Sequence, residues 1–166
     1  MDKNKKDALS YLVIILVVVL IRTFIITPIR VVGSSMDKTL KQGEILLLEK
    51  VDKSYKRYDI VVIKEGNERI IKRIIGMPGE SIKIVEGVIY INGEAIEDKY
   101  ASTYTEDFSL SKFDLEVIPE DSYFVLGDNR KVSKDSRLLG PINKKQIQGK
   151  AIYRIWPFNK FGDLNG

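Results

Sequence analysis

Ser81-Ile82-Lys83-Ile84-Val85-Glu86-Gly87-Val88-Ile89-Tyr90-Ile91-Asn92-Gly93 is the stretch whose reading decides the fold. Residues 81–85 and 88–91 are short β-rich runs bounded by turn formers, and Asn92-Gly93 between apolar runs is a strong hairpin signal. Working outward, the same pattern marks strands at residues 44–50, 59–64, 69–75, 123–126 and 150–155, with Met77-Pro78-Gly79 as a further stop. Many short strands without a good amphipathic helix imply a mainly β domain, an antiparallel β-sheet or barrel that is closed or folded over. Residues 101–114 are polar with scattered aromatics and read as a surface excursion.

The N-terminus departs from this pattern. After a charged head at residues 1–7, residues 8–29 read ALSYLVIILVVVLIRTFIITPI, with Arg22 as the only charge. A helix of that length spans roughly 33 Å, close to the hydrocarbon thickness of a bilayer. No small-x-small cleavage site follows, so an uncleaved transmembrane α-helix is expected rather than a signal peptide. Lys3, Lys5 and Lys6 favour a cytoplasmic N-terminus. The expected organisation is therefore residues 1–29 as cytoplasmic head and single-pass plasma-membrane anchor, and residues 30–166 as an extracytoplasmic β domain.

Composition narrows the chemistry. The net charge is +4, but 27 basic residues are interleaved with 23 acidic ones, which speaks against nucleic acid and for membrane lipid as a secondary partner. The chain has no Cys and no His. That excludes disulfides, Ser-His-Asp and Cys-His catalysis, and Cys/His zinc sites. Among common activated nucleophiles, Ser or Thr with Lys or a carboxylate remains, and no cofactor or metal is expected.

Three segments carry residues suited to such chemistry. Lys72 lies in Arg69-Ile-Ile-Lys-Arg-Ile-Ile75, where strand alternation sets it on the face of Ile70 and Ile74 and turns Arg69 and Arg73 the other way. On an apolar face desolvation lowers a lysine's pKa; a fall from about 10.4 to about 8 costs roughly 3 kcal/mol and leaves an amine able to take a proton from a hydroxyl. An edge-strand lysine that reaches water is the plain alternative. Ser35 sits in Gly33-Ser34-Ser35, a flexible turn just beyond the apolar run, where most serines are simple loop residues. The segment 127–140 follows a strand and places Asp128, Arg130, Asp135 and Arg137 so that they could pair and fix a loop carrying Ser133 and Ser136.

Together these segments resemble type I signal peptidases of the compact Gram-positive kind. The resemblance rests on Gly33-Ser-Ser35-Met36-x-x-Thr39-Leu40, Tyr58-Asp59-Ile60-Val61-Val62, Lys72-Arg73-Ile-Ile-Gly76-Met-Pro78-Gly79-Glu80 and Gly127-Asp-Asn-Arg130-x-x-Ser133-x-Asp135-Ser136-Arg137-x-x-Gly140. It implies a membrane-bound serine endopeptidase, expected as a monomer, that cleaves signal peptides from preproteins. It further implies Ser35 as nucleophile, Lys72 as general base and Ser133 as the group orienting the lysine. Asp128, Arg130, Asp135 and Arg137 would support the site, and the Ser35 N–H would help hold the oxyanion. Val31 and Ile71 would line pockets for small substrate side chains, although alternation sets Ile71 opposite Lys72. Two positions depart from the family pattern: Lys38 stands where Pro is usual, and Gly33 where some members carry a hydroxyl. A catalytically inactive, membrane-anchored β domain that binds exported polypeptides is the rival reading.

Overall fold

The apolar run expected as one helix is divided among three elements. In the computed structural model, which describes residues 3–164 without the side chains of residues 3–6 and 8, α1 covers Lys3–Leu20. A π-helical turn follows at Ile21–Ile25, and β1 (Ile26–Arg30) is already part of a sheet. The change has a local cause in hydrogen bonding. Thr27 Oγ1 donates to Arg22 O (2.6 Å), Lys50 Nζ to Thr23 O (3.0 Å) and Lys50 N to Ile25 O (2.9 Å), so the last helical carbonyls are taken by the sheet. Pro28, which has no N–H to donate, fits on β1 because β1 is an edge strand.

The expected spanning helix over residues 8–29 is therefore corrected. Among the described residues no helix is long and apolar enough to cross a membrane. The first turns of α1 carry Lys3, Lys5, Lys6 and Asp7, and the helical form changes at Ile21. The large apolar side chains from Leu9 to Ile21, with Phe24 and Ile25, are nevertheless exposed. Of the expected charged head at residues 1–7, residues 1 and 2 lie outside the described residues and the rest begins α1.

The β domain continues with β2 (Ile45–Glu49), β3 (Ile60–Glu65), β4 (Glu68–Gly76), β5 (Ile82–Val85), β6 (Val88–Ile91) and β7 (Glu94–Ile96). It is completed by β8 (Phe108–Ser109), β9 (Ser122–Leu126), β10 (Ile142–Asn143), β11 (Ile147–Trp156) and β12 (Gly162–Asp163). Two antiparallel sheets result. The large one runs β1-β2-β11-β3-β4-β9-β10 with β12 beside β11, and the small one runs β7-β6-β5-β8. The mainly β, antiparallel expectation holds, but β1 and β10 end the path, so among the described residues no hydrogen bonds close the large sheet into a barrel. The sheet also starts at Ile26 rather than at residue 30.

The hairpin that anchored the sequence reading forms as expected. Asn92 and Gly93 both have positive φ (52° and 84°), the geometry that joins β6 to β7 in a two-residue turn. The apolar faces of β5 and β6 then cover the end of β4 and β9: Ile82, Ile84, Ile89 and Ile91 pack with Ile75, Phe124 and Leu126. Residues 101–114 are not a surface excursion. Phe108 and Leu110 are buried in that same cluster and β8 pairs with β5, because an apolar pair at their spacing can close the small sheet.

Candidate active site

Ser35 is held in a turn whose apolar residues face inward. Met36 (2% exposed) and Leu40 (0%) join Val31, Leu46, Ile60 and Ala151 in one core cluster, which ties the turn to the large sheet. Asp37 N donates to Ser34 O (3.1 Å) and Leu40 N to Met36 O (2.8 Å), so the turn is closed although Lys38 replaces the usual Pro. Gly33 has φ +85°, a conformation strained for a residue with a side chain, so a hydroxyl-bearing residue at this backbone geometry would be strained.

Lys72 comes from the middle of β4, where the register with β3 runs unbroken from Ile60↔Arg73 to Glu65↔Glu68. It is 2% exposed, and its Nζ lies 2.7 Å from Ser35 Oγ and 3.0 Å from the carbonyl oxygen of Ile71. Burial lowers its pKa to about 8, with Asp135 and Asp128 opposing the fall through their negative charge. The sheltered amine expected from alternation is present. Arg73, expected on the opposite face, is not exposed there: it is 1% exposed, because β4 is covered on both faces from Lys72 onward.

The loop after β9 is fixed by ion pairs that differ in part from the expected set. Asp135 and Arg137 pair within the loop (2.9 Å), and Asp135 also accepts from Gly127 N (3.1 Å) and caps the short helix α2 (Ser136–Leu139). Asp128 instead takes a two-point contact from Arg73, through Nε at 3.0 Å and Nη2 at 2.7 Å. Arg130 reaches Asp98 and Thr105 and donates Nε to Gly127 O (2.8 Å). Asn129 N donates to Ser35 O (3.0 Å), so the loop grips the serine's own peptide. Gly127 permits that approach: a Cβ there would overlap Ser133 Oγ and come 2.6 Å from Ser35 O.

Ser133 is buried near this point, but it makes no hydrogen bond with Lys72; the Ile71 carbonyl takes the orienting contact expected of it. Val31 is 2% exposed and sealed in the core, whereas Ile71 is half-buried and lines a groove of about 790 Å³ with Pro28, Ile29 and Val32. Ile71 is brought against the Val31 cluster without a bulge at its position in β4.

Several contributors carried no assigned role in the sequence reading. Thr39 bridges Asp128 and Arg73 through its hydroxyl, and Arg154 of β11 donates to Thr39 O (2.7 Å). Tyr100 lays its ring 3.7 Å from the Arg73 guanidinium carbon. Ser102 Oγ bridges Asp37 O (2.9 Å) and Asp128 O (3.1 Å). Thr39 and Arg73 fell inside recognisable motifs; Tyr100 and Ser102 had no local signal, since their partners are distant in sequence. Among the described residues no cluster of three or more acidic side chains could hold a metal ion.

A family model described as "Signal peptidase, peptidase S26" matches residues 5–156. Signal peptidase I of Bacillus licheniformis is 37% identical over 179 residues, covering 95% of this chain and 94% of that one. Signal peptidase IB of Staphylococcus aureus is 34% identical over 181 residues, with the same coverage. The crystal structure of a signal peptidase I from Enterococcus faecalis superposes with a TM-score of 0.55 at 33% identity, covering 58% of this chain and 96% of that one.

Proposed function

We propose that this chain, which belongs to the S26 family of signal peptidases, cuts preproteins with Ser35 as nucleophile and Lys72 as general base. The observation that carries the reading is the 2.7 Å approach of Lys72 Nζ to Ser35 Oγ, made by an amine that water hardly reaches. With a pKa of about 8, roughly a tenth of the lysines are neutral at pH 7, enough to act as base without a histidine.

Ser35 Oγ attacks the scissile carbonyl while its proton passes to Lys72 Nζ. The oxyanion takes the N–H of Ser35, which has no acceptor of its own among the described residues. Lys72 returns the proton to the leaving amine, the new N-terminus of the mature protein. The signal peptide is left as an ester on Ser35, and a water deprotonated by Lys72 releases it. Asp128, Arg130, Asp135 and Arg137 hold the loop that presses on the serine peptide, and Ser133 belongs to that loop.

The segment before the cut lies extended along the free edge of β1, its small side chains entering the groove beside Ile71. The exposed apolar side chains of α1 and the π turn sit in lipid as a single anchor, with the β domain on the extracytoplasmic side.

The test is cleavage of a purified preprotein by wild type, Ser35→Ala and Lys72→Met. Each variant should lose at least about 10⁴-fold in rate; normal turnover by either refutes the dyad. Wild-type rates should rise about tenfold per pH unit up to roughly pH 8 and then level, since only the neutral amine accepts a proton. Preprotein binding without cleavage by wild type would favour the binding-only alternative.

A further inference from the structure

Two open spaces adjoin the serine turn, and the reaction proposed above uses the one beside Val32 and Ile71. The other, of about 380 Å³, is lined by Asp37, Lys38, Lys41, Ser102 and Asn129 and shares no residue with the first. Its walls stand next to the nucleophile. Asn129 donates Nδ2 to Ser34 O (3.3 Å) and its backbone N to Ser35 O (3.0 Å), while Asp37 N donates to Ser34 O (3.1 Å). The turn thus passes from the first space at Val32, through Ser35, to the second at Asp37. A preprotein extended across Ser35 with the residues before its cut in the first space carries the residues after the cut towards the second.

The second space is open and cationic. Lys38 and Lys41 are exposed, and neither enters an ion pair among the described residues. Lys38 brings its charge to the position where Pro is usual in the family pattern. Asp37 supplies the one carboxylate of the lining, so even if it is set against one lysine the other ammonium is left over. Of the nearby acids behind the wall, Asp128 is taken by Arg73 and Asp98 by Arg130.

Building on the peptidase reading above, we propose that Lys38 and Lys41 select preproteins with an acidic side chain, Asp or Glu, among the first three residues after the cut. Those residues cover about 10 Å of extended chain. A carboxylate there is attracted by the surplus ammonium and a basic side chain is repelled. Both effects are modest in an open space and weaken with salt.

The test compares kcat/KM for one preprotein carrying Glu, Gln or Lys at all three positions, cut by the full chain and by Lys38→Glu/Lys41→Glu. Wild type should prefer Glu over Gln by about fivefold and Glu over Lys by roughly twentyfold at low salt. The double variant should reverse the order, and Lys38→Gln alone should shrink the preference for Glu over Gln to about twofold. Each readout is a ratio between substrates for one enzyme, so a general loss of activity cancels. Equal rates on all three preproteins, or an order that the double variant keeps, overturns the proposal and leaves the dyad standing. The dyad is judged separately, by whether Ser35→Ala still cuts the Gln preprotein.

Discussion

Two interiors lie side by side in this protein and are built on opposite terms. Beneath the small sheet, Ile82, Ile84, Ile89, Ile91 and Phe108 meet Ile75, Phe124 and Leu126, and the contact is hydrocarbon throughout. Around the seam of β4 and the loop after β9, Lys72, Arg73, Asp128, Arg130, Ser133, Asp135 and Ser136 are all buried. The first interior is held by area and shape, so a side chain can be exchanged for another of like volume. The second is held by pairing, so most of its groups depend on a named partner and removing one strands another. The difference separates the part of the molecule that stabilises from the part arranged for chemistry.

The harshest way to break the contrast is Asp128→Ala. It leaves the Arg73 guanidinium buried without its carboxylate and should cost about 4 kcal/mol, read by chemical denaturation. Ile84→Ala should cost roughly 3 kcal/mol by opening a cavity, yet leave the rate per folded molecule near wild type.

Lys72→Met should do the reverse and stabilise. Its pKa falls from 10.5 to about 8, which at about 1.4 kcal/mol per tenfold change in proton affinity is roughly 3 kcal/mol. The folded pKa lies below the unfolded one, so between about 8 and 10.5 the unfolded chain binds more protons and stability rises with pH. The gain from Lys72→Met should therefore be full below pH 8 and fade by about pH 10.5, while activity is absent throughout. The smallest effect is expected from Gly93→Ala, about 1 kcal/mol, because φ is +84° in a turn far from the ions.

The two interiors were also unequally legible. Period-two alternation and Asn92-Gly93 gave the small sheet's first strands nearly to the residue, since hairpins are local. Alternation also found Lys72, because one buried face suffices to predict a sheltered amine. It failed at Arg73, whose opposite face is covered by Tyr100 and by Asp128 from distant segments. The pairing expected within residues 127–140 failed at Arg130, whose partner Asp98 lies 32 residues upstream. The run at residues 8–29 misled in another way: hydropathy reports which solvent a segment tolerates, but not where its last carbonyls find donors. Thr27 and Lys50 supply those donors, and the chain enters the sheet at Ile26.

That junction leaves no leash. The π turn ends at Ile25, β1 occupies the next five residues at roughly 3.3 Å each, and Ser35 follows five residues later. Were α1 to lie in a bilayer as proposed, the hydroxyl would be held at a set height above the lipid, and a scissile bond would have to be delivered to that height.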